Sequence, residues 1–226
     1  MNPIKVAAVA DVHSPRFLNE FKTALTRCET PNLFLFAGDM INRGKIDEYP
    51  KVLDILDSQL GSDFPVVACF GNEEPLSCQD ELRLMTQNRV TFLDEKAVTF
   101  NLSGSEISIV GISTTYGPPN ESQSDTVAEI RVSFEERTER LSRLLQDVSE
   151  TADCVVLLMH FNPLSETNSS VFSWWVSRAI KKNPPGHIIH GHVHDSISND
   201  VKIGSTIIRN VALPATSLIT ELNLWV

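Results

Sequence analysis

Side chains able to bind metal ions recur where apolar segments of the sequence end. They are Asp11 and His13, Asp39, Asn72, His160, and His192 and His194. All 6 histidines of the chain lie at or just before such an end. Carboxylate, amide and imidazole donors without cysteine suit Mn, Fe or Zn better than a closed structural zinc site. The donor types therefore indicate a metal centre, and phosphoryl chemistry is the usual use of such a centre.

A pair of divalent ions is the arrangement that this donor set favours for phosphate chemistry. Two ions about 3.5 to 4 Å apart share a carboxylate and a water, lower the pKa of that water and neutralise phosphate oxygens. One central carboxylate is required, and Asp39 suits that position. Taken singly, an Asp or His beside a strand is more often a cap, a turn former or a buried polar side chain. The prediction therefore depends on the seven residues occurring together in one order.

The elements that must position these residues alternate between apolar runs and amphipathic helices. The first runs are Ile4 to Ala10, Leu33 to Ala37 and Val66 to Phe70. A helix capped by Ser14 is expected after the first run, and a second helix over Asp47 to Gln59. Such alternation predicts an α/β fold with parallel strands and right-handed crossovers. The polar ends should meet beyond the carboxyl ends of the strands.

The later part of the chain is also predicted to be rich in strands. These are Val90 to Leu93, Ala97 to Leu102, Ile107 to Gly111, Cys154 to Met159 and Gly186 to Ile189. The loop from Ser113 to Asp125 either overhangs the site or is an ordinary surface loop, and a charged helix is expected over about Thr126 to Val148. The tail, with runs at Ser205 to Val211 and Ser217 to Trp225, predicts a closing β-hairpin.

Five short motifs give the chain a resemblance to the calcineurin-like metallophosphoesterases. They are Asp11-x-His13, Gly38-Asp39, Gly71-Asn72, the lone His160, and Gly191-His192-x-His194. Because they run in order through most of the chain, the resemblance is specific. In its length and its compact middle region, the chain looks most similar to the small bacterial and archaeal predicted phosphoesterases. The length and composition predict a single domain over residues 1–226. The resemblance implies an α/β fold built as a four-layer α-β-β-α sandwich of two mixed sheets flanked by helices.

The resemblance also implies two divalent metal ions, with Mn, Fe, Zn and Ni left open as their identity. Asp11, His13, Asp39 and His194 would hold the first ion, and Asp39, Asn72, His160 and His192 the second. Arg43 is expected to hold a phosphate oxygen through its guanidinium fork, with a plain salt bridge or solvent contact as the alternative. His187 and His190 lie outside the ligand pattern and are expected to pack or to support the ligands.

Glu73 departs from the pattern of many relatives, in which a His follows the Asn of the third motif and assists the leaving oxygen. A carboxylate there would repel an incoming phosphate unless it is protonated, paired with Arg43 or turned away. Burial near other acids would favour the protonated form, which is able to act as a general acid. Hydrolysis is expected, with good leaving groups favoured and Glu73 as the candidate acid.

The function that these motifs imply is hydrolysis of phosphomonoester or phosphodiester bonds by a metal-bridging hydroxide. Asp39, Asn72, Glu73 and Arg43 are the expected catalytic residues. A net charge of -10 disfavours nucleic acid, so a small phosphorylated substrate is expected and a DNA nuclease is disfavoured. A metal-binding or scaffold protein on the same fold is the alternative. The first residues resemble neither a secretory leader nor a membrane span, so a cytoplasmic protein without a membrane partner is expected, and a homodimer is left open.

Overall fold

Two mixed sheets form the centre of the fold. A computed structural model of the chain describes residues 3–113, 127–163, 171–195 and 200–225. The strands in these residues are β1 (Ile4–Val9), β2 (Leu33–Ala37), β3 (Val66–Cys69), β4 (Val90–Phe92), β5 (Lys96–Leu102), β6 (Ser105–Gly111), β7 (Cys154–Leu158), β8 (His187–His190), β9 (Asp200–Ile203), β10 (Thr206–Asn210) and β11 (Thr220–Leu224). One sheet has the order β11-β1-β2-β3-β4, and the other has the order β5-β6-β7-β8-β10-β9.

Helices cover the outer face of each sheet. They are α1 (Leu18–Leu25), α2 (Tyr49–Leu60), α3 (Leu76–Thr86), α4 (Val127–Ser149), α5 (Val171–Lys182) and α6 (Leu213–Thr216). Apolar residues of α1, α2 and α3 pack on the sheet that contains β1, and those of α4 and α5 pack on the sheet that contains β7. The fold is therefore the α-β-β-α sandwich that the resemblance implied.

The interior between the two sheets explains why β2 is apolar at every position. Leu33, Leu35 and Ala37 face the second sheet, where they join a core that includes Ile107 and Val156. The intervening residues of β2 point the other way, into the core beneath α1 and α2. Because side chains alternate along a strand, a strand buried on both faces carries a continuous apolar run.

Parallel pairing directs the ends of several strands to one edge of the sandwich. In the first sheet, β1, β2 and β3 pair in parallel, and their ends lead to Asp11, Asp39 and Asn72. In the second sheet, β7 and β8 pair in parallel and lead to His160 and the His192 segment. Ligand sites of open α/β sheets collect beyond such carboxyl ends. Both sheets therefore contribute side chains to the same site.

Two expectations about local structure are wrong. The tail is not a hairpin, because β10 pairs with β8 and β9 in one sheet while β11 pairs with β1 in the other. Ser14 does not cap α1, which begins at Leu18; its hydroxyl donates instead to the Glu48 carboxylate at 2.8 Å. Both differences reflect contacts between segments far apart in sequence, which local patterns do not report.

Some elements had no counterpart in the sequence prediction, and one expected loop is not described. Helix α3, the short helix α6 and strand β9 are additional. Apart from Ser113 itself, the polar loop expected over Ser113 to Asp125 lies outside the described residues. Among the helices in the described ranges, none is both long enough and apolar enough to cross a membrane.

Substitution of Leu35 by Ala tests the packing between the sheets. Leu35 is fully buried there, so Leu35→Ala should lower the free energy of unfolding by about 2 to 5 kcal/mol, through lost burial and a residual cavity. Urea denaturation of the metal-free protein measures this change. Leu84→Ala is the control, because Leu84 is 67% exposed on α3 and its loss should change stability by less than about 0.5 kcal/mol. Equal effects of the two substitutions would contradict this packing.

Candidate metal centre

The first donor group lies at the end of β1 and in the segment after β8. It consists of Asp11, His13 and His194, each with one donor atom within 4.8 Å of the others. Nε2 of His194 donates a hydrogen bond to Oδ1 of Asp11 at 3.0 Å, and Nε2 of His13 lies 3.4 Å from the same oxygen. The backbone amide of His192 donates to Oδ2 of Asp11 at 2.8 Å and fixes the carboxylate. This group offers a cation one carboxylate and two imidazoles.

The second donor group centres on His160, which is fully buried. Asp39, His160 and His192 place one donor atom each within 4.8 Å of the others. Nε2 of His160 lies 3.2 Å from Oδ2 of Asp39, 3.2 Å from Oδ1 of Asn72 and 3.3 Å from Nδ1 of His192. Nδ1 of His160 donates to the carbonyl of Ala37 at 2.9 Å. This hydrogen bond orients the ring and directs Nε2 toward the other donors.

The Asp39 carboxylate lies between the two groups. Its Oδ2 is 3.2 Å from Nε2 of His160 and 3.9 Å from Nε2 of His13. Asp39 is 1% exposed, and its other oxygen, Oδ1, accepts a hydrogen bond from the amide of Glu73 at 2.7 Å. One carboxylate oxygen is thus within reach of ligands from both groups. The seven residues expected as ligands are all brought to this site.

The centre has a buried floor and an open side. Asp11, Asp39 and His160 are buried, whereas Asn72, His192 and His194 are exposed. A structural metal site is normally closed by protein ligands, whereas a catalytic site keeps a side open for water and substrate. The distribution of exposure therefore suits a site at which a substrate reacts.

Four non-glycine residues of the centre have left-handed backbone conformations. The φ angles are 59° at Asp11, 44° at His13, 54° at Asp39 and 69° at His192. Each such conformation is sparsely populated and persists only where the surrounding structure enforces it. Such strain tends to cluster at functional sites, and here it turns the chain sharply after three different strands.

Two glycines allow the backbone to approach the carboxylates closely. A Cβ added to Gly71 would lie 2.1 Å from Oδ1 of Asp39, and one added to Gly191 would lie 2.5 Å from Oδ2 of Asp11. Neither carboxylate could keep its place beside a larger residue. The glycines of the Gly71-Asn72 and Gly191-His192 motifs are therefore required by space.

The pKa values of the buried groups reflect the pairing of carboxylates with imidazoles. Burial alone would lower the pKa of His160, but the carboxylates of Asp39 and Asp11 raise it to about 10. Burial would raise the pKa of Asp11, but the neighbouring His13 and His194 rings and the charge of His160 hold it well below its usual range. In the metal-free protein, a proton on His160 therefore compensates the charges of Asp39 and Asp11. A bound cation would compensate the same two charges.

His13 provides a test of whether the residues suit a divalent ion. Its Nε2 is buried and has no hydrogen-bond partner among the described residues, although two carboxylates lie within 4 Å. Such an unpaired buried nitrogen is costly unless a further group binds it. An ion between His13, Asp11 and Asp39 would satisfy the nitrogen and both carboxylates. The donor set therefore suits a pair of divalent cations.

Comparison with known proteins assigns the fold and the motifs to a family. The sequence model of calcineurin-like phosphoesterases matches residues 4–196. The chain belongs to this family. The matched range includes the six residues of the two donor groups and Asn72. No curated protein matches the chain significantly.

Solved structures share this phosphoesterase fold at low sequence identity. TT1561 of Thermus thermophilus has a TM-score of 0.60 and 13% identity, over 98% of this chain and 99% of its own. GAP50 of Plasmodium, described as the anchor in the inner membrane complex, has a TM-score of 0.57 and 11% identity, over 95% and 73%. A 5'-nucleotidase precursor from Thermus thermophilus has a TM-score of 0.52 and 15% identity, over 92% of this chain and 48% of its own. These similarities show the fold alone.

Glu73 and Arg43 lie beside the candidate metal centre rather than within either donor group. Oε2 of Glu73 accepts a hydrogen bond from the backbone amide of Arg43 at 2.6 Å, and the Glu73 carbonyl accepts one from Gly44 at 2.8 Å. The observed contact between Glu73 and Arg43 is therefore to a backbone amide, which is not the charge pairing considered for Glu73. The Arg43 side chain is exposed.

Sequence reasoning overlooked Glu74, the next residue along the chain. Glu74 is 1% exposed, and its carboxylate accepts hydrogen bonds from backbone amides of two loops. Burial, followed by the charge of Asp39, raises its pKa. The only signal in the sequence was a second Glu before Pro75 and α3. Nothing in the pattern distinguishes the buried member of the Glu73-Glu74 pair from its more exposed neighbour.

His187 and His190 are outside both donor groups. His190 is buried, and its Nδ1 donates to the carbonyl of Gly191 at 2.9 Å. Burial lowers the pKa of His190 to about 4, so it is neutral at physiological pH. Burial also lowers the pKa of the half-buried His187. His190 thus ends β8 next to the His192 segment, whereas His187 begins that strand.

Binding of Mn²⁺ should strengthen as the pH rises from about 6 to about 8. With a pKa of about 10, His160 is protonated over this range in the metal-free protein and must lose its proton to bind an ion. The apparent affinity should increase about tenfold per pH unit for each proton released. Calorimetric titrations in buffers of different ionisation enthalpy measure both the affinity and the released protons. An affinity independent of pH, without proton release, would contradict this assignment.

Proposed function

We propose that this protein is a dinuclear metal-dependent phosphoesterase that hydrolyses phosphomonoester or phosphodiester bonds of small phosphorylated substrates. The observation that carries the proposal is the position of Asp39, whose Oδ2 lies near imidazole nitrogens of both donor groups. Family membership supports a phosphoesterase in general. The open side formed by Asn72, His192 and His194 supports access of a substrate.

Each of the two ions would be held by side chains from both sheets. The first would be held by Asp11, His13, Asp39 and His194, and the second by Asp39, Asn72, His160 and His192. Two divalent cations, when bound, lower the pKa of a water between them and neutralise phosphate charge. Mn, Fe, Zn and Ni all accept such nitrogen and oxygen donors, and the proposal does not select among them.

Residues beside the donor groups would bind the substrate and move a proton. Arg43 is exposed next to the centre, and we propose that its guanidinium holds a phosphate oxygen. Glu73 would donate a proton to the leaving oxygen. Because Oε2 of Glu73 is held by the amide of Arg43, Oε1 is the oxygen that would carry this proton. This hydrogen bond also couples the position of Glu73 to the loop of Arg43.

A scaffold without activity is the second candidate function. It is supported by the similarity to GAP50, which is described as an anchor and shares the fold over 95% of this chain. The replacement of the usual His by Glu73 also favours it. Elemental analysis of the purified protein distinguishes the two candidates, because a scaffold could be metal-free whereas the enzyme should contain close to two equivalents. A cytoplasmic location stays a prediction, and the question of a homodimer stays open.

Replacement of Asp39 by Asn tests the proposed reaction. Asp39→Asn removes the charge shared by the two donor groups, so hydrolysis of nitrophenyl phosphate and of its bis ester with Mn²⁺ or Ni²⁺ should fall by at least about 100-fold. Asp80→Asn is the matched control, because the Asp80 side chain on α3 is fully exposed and its loss should leave the rate unchanged. A wild-type protein no more active than Asp39→Asn on either ester would contradict the proposed function.

A further inference from the structure

The Glu74 side chain joins the two loops that carry Asp39 and Asn72. Its Oε2 accepts hydrogen bonds from the amides of Asp39 and Gly71, both at 2.8 Å. Its Oε1 accepts hydrogen bonds from the amides of Met40 at 2.6 Å and of Ile41 at 3.2 Å. Three of these amides are consecutive and follow β2, while the fourth follows β3. A single buried carboxylate therefore binds the backbone at the ends of two neighbouring strands.

This hydrogen bonding leaves Glu74 without capacity to bind a metal ion. A carboxylate has about four acceptor positions, and four amides already occupy them. Glu74 belongs to neither donor group among the described residues. Any influence of Glu74 on bound ions therefore passes through the loops that it holds.

Asp39 and Glu74 bind each other's loops in both directions. Oδ1 of Asp39 accepts the amide of Glu73 at 2.7 Å, while Oε2 of Glu74 accepts the amide of Asp39. The side chain of Asp39 is thereby fixed through one oxygen. Its second oxygen, Oδ2, is left facing His160 and His13. The direction of the shared oxygen thus depends on the loops staying together.

We propose that Glu74 is a positioning residue, which fixes the Asp39 loop against the Asn72 loop and so sets the separation of the two bound ions. This inference rests on the proposed function for the presence of the ions. A residue that only stabilised the fold would change the unfolding temperature without changing how two ions interact. Metal binding and the magnetic coupling between the ions therefore distinguish the two roles.

Substitutions of Glu74 in the Mn²⁺-loaded protein test the proposal. Glu74→Gln keeps the shape but directs an amide NH₂ at backbone donors, so one side of the four-amide arrangement is lost. The affinity for the second Mn²⁺ should fall by at least about tenfold, as for other residues that orient metal ligands. The electron paramagnetic resonance signal of the exchange-coupled pair should weaken. Glu74→Asp keeps the charge but is too short to reach both loops. If it also loses Mn²⁺ affinity and the coupled signal, the effect of Glu74 comes from its position and not from its charge.

Leu141→Ala is the control for a general loss of stability. Leu141 belongs to α4 and is fully buried in the core between that helix and the second sheet. Its truncation should lower the unfolding temperature while the Mn²⁺ affinity and the coupled signal stay at wild-type levels. If Glu74→Gln or Glu74→Asp binds two Mn²⁺ ions with wild-type affinity and coupling, the proposal is overturned.

Hydrogen exchange of the wild-type protein gives a second test, which also applies if neither Glu74 variant folds. The amides of Asp39, Met40, Ile41 and Gly71 should exchange slowly in the metal-free protein, and rapid exchange would overturn the proposal. The readouts also separate this inference from the proposed function. A wild-type protein that binds a coupled Mn²⁺ pair but cleaves no ester contradicts the function alone, whereas active Glu74 variants with normal coupling contradict only the role of Glu74.

Discussion

Compensation of buried negative charge is the constraint on which the whole site depends. Asp11, Asp39 and Glu74 are 0%, 1% and 1% exposed at adjacent strand ends. Ionised carboxylates in an interior need hydrogen bonds, a counter-charge or a metal. Backbone amides satisfy Glu74, and His160 supplies a positive charge to Asp39 when no ion is bound. The side chains that compensate the buried charge in the metal-free fold therefore also form a binding site for divalent cations.

Much of the site could be predicted because its information is local. Each strand of the parallel pairs is a short apolar run, and a donor residue follows within three residues of its end, as Asp11 follows β1 and His160 follows β7. Parallel pairing places the carboxyl ends of the strands at one edge of a sheet. The order of the motifs was therefore enough to predict that Asp39, Asn72 and His192 lie close together. Residue types then limited the chemistry, because oxygen and nitrogen donors without thiolates suit catalytic cations.

Features that depend on distant partners could not be predicted in this way. The run that became β11 has the same alternation whether it pairs with β10 or, as observed, with β1. Glu73 and Glu74 are identical residues side by side, and only the folded backbone determines which one is buried. The choice between a substrate loop and a surface loop at Ser113 to Asp125 likewise depends on packing. Sequence periodicity reports the faces of elements and not their neighbours.

The contribution of both sheets to the centre has a consequence for how the protein would release its ions. Asp39 is carried by the first sheet, whereas His160 and His194 are carried by the second, and the Nδ1 of His160 also bonds to Ala37 across the gap. Bound cations would therefore link the two sheets of the sandwich. Their release through the open side formed by His192 and His194 would leave both sheets in place without this link, so the metal-free protein would be the less stable form.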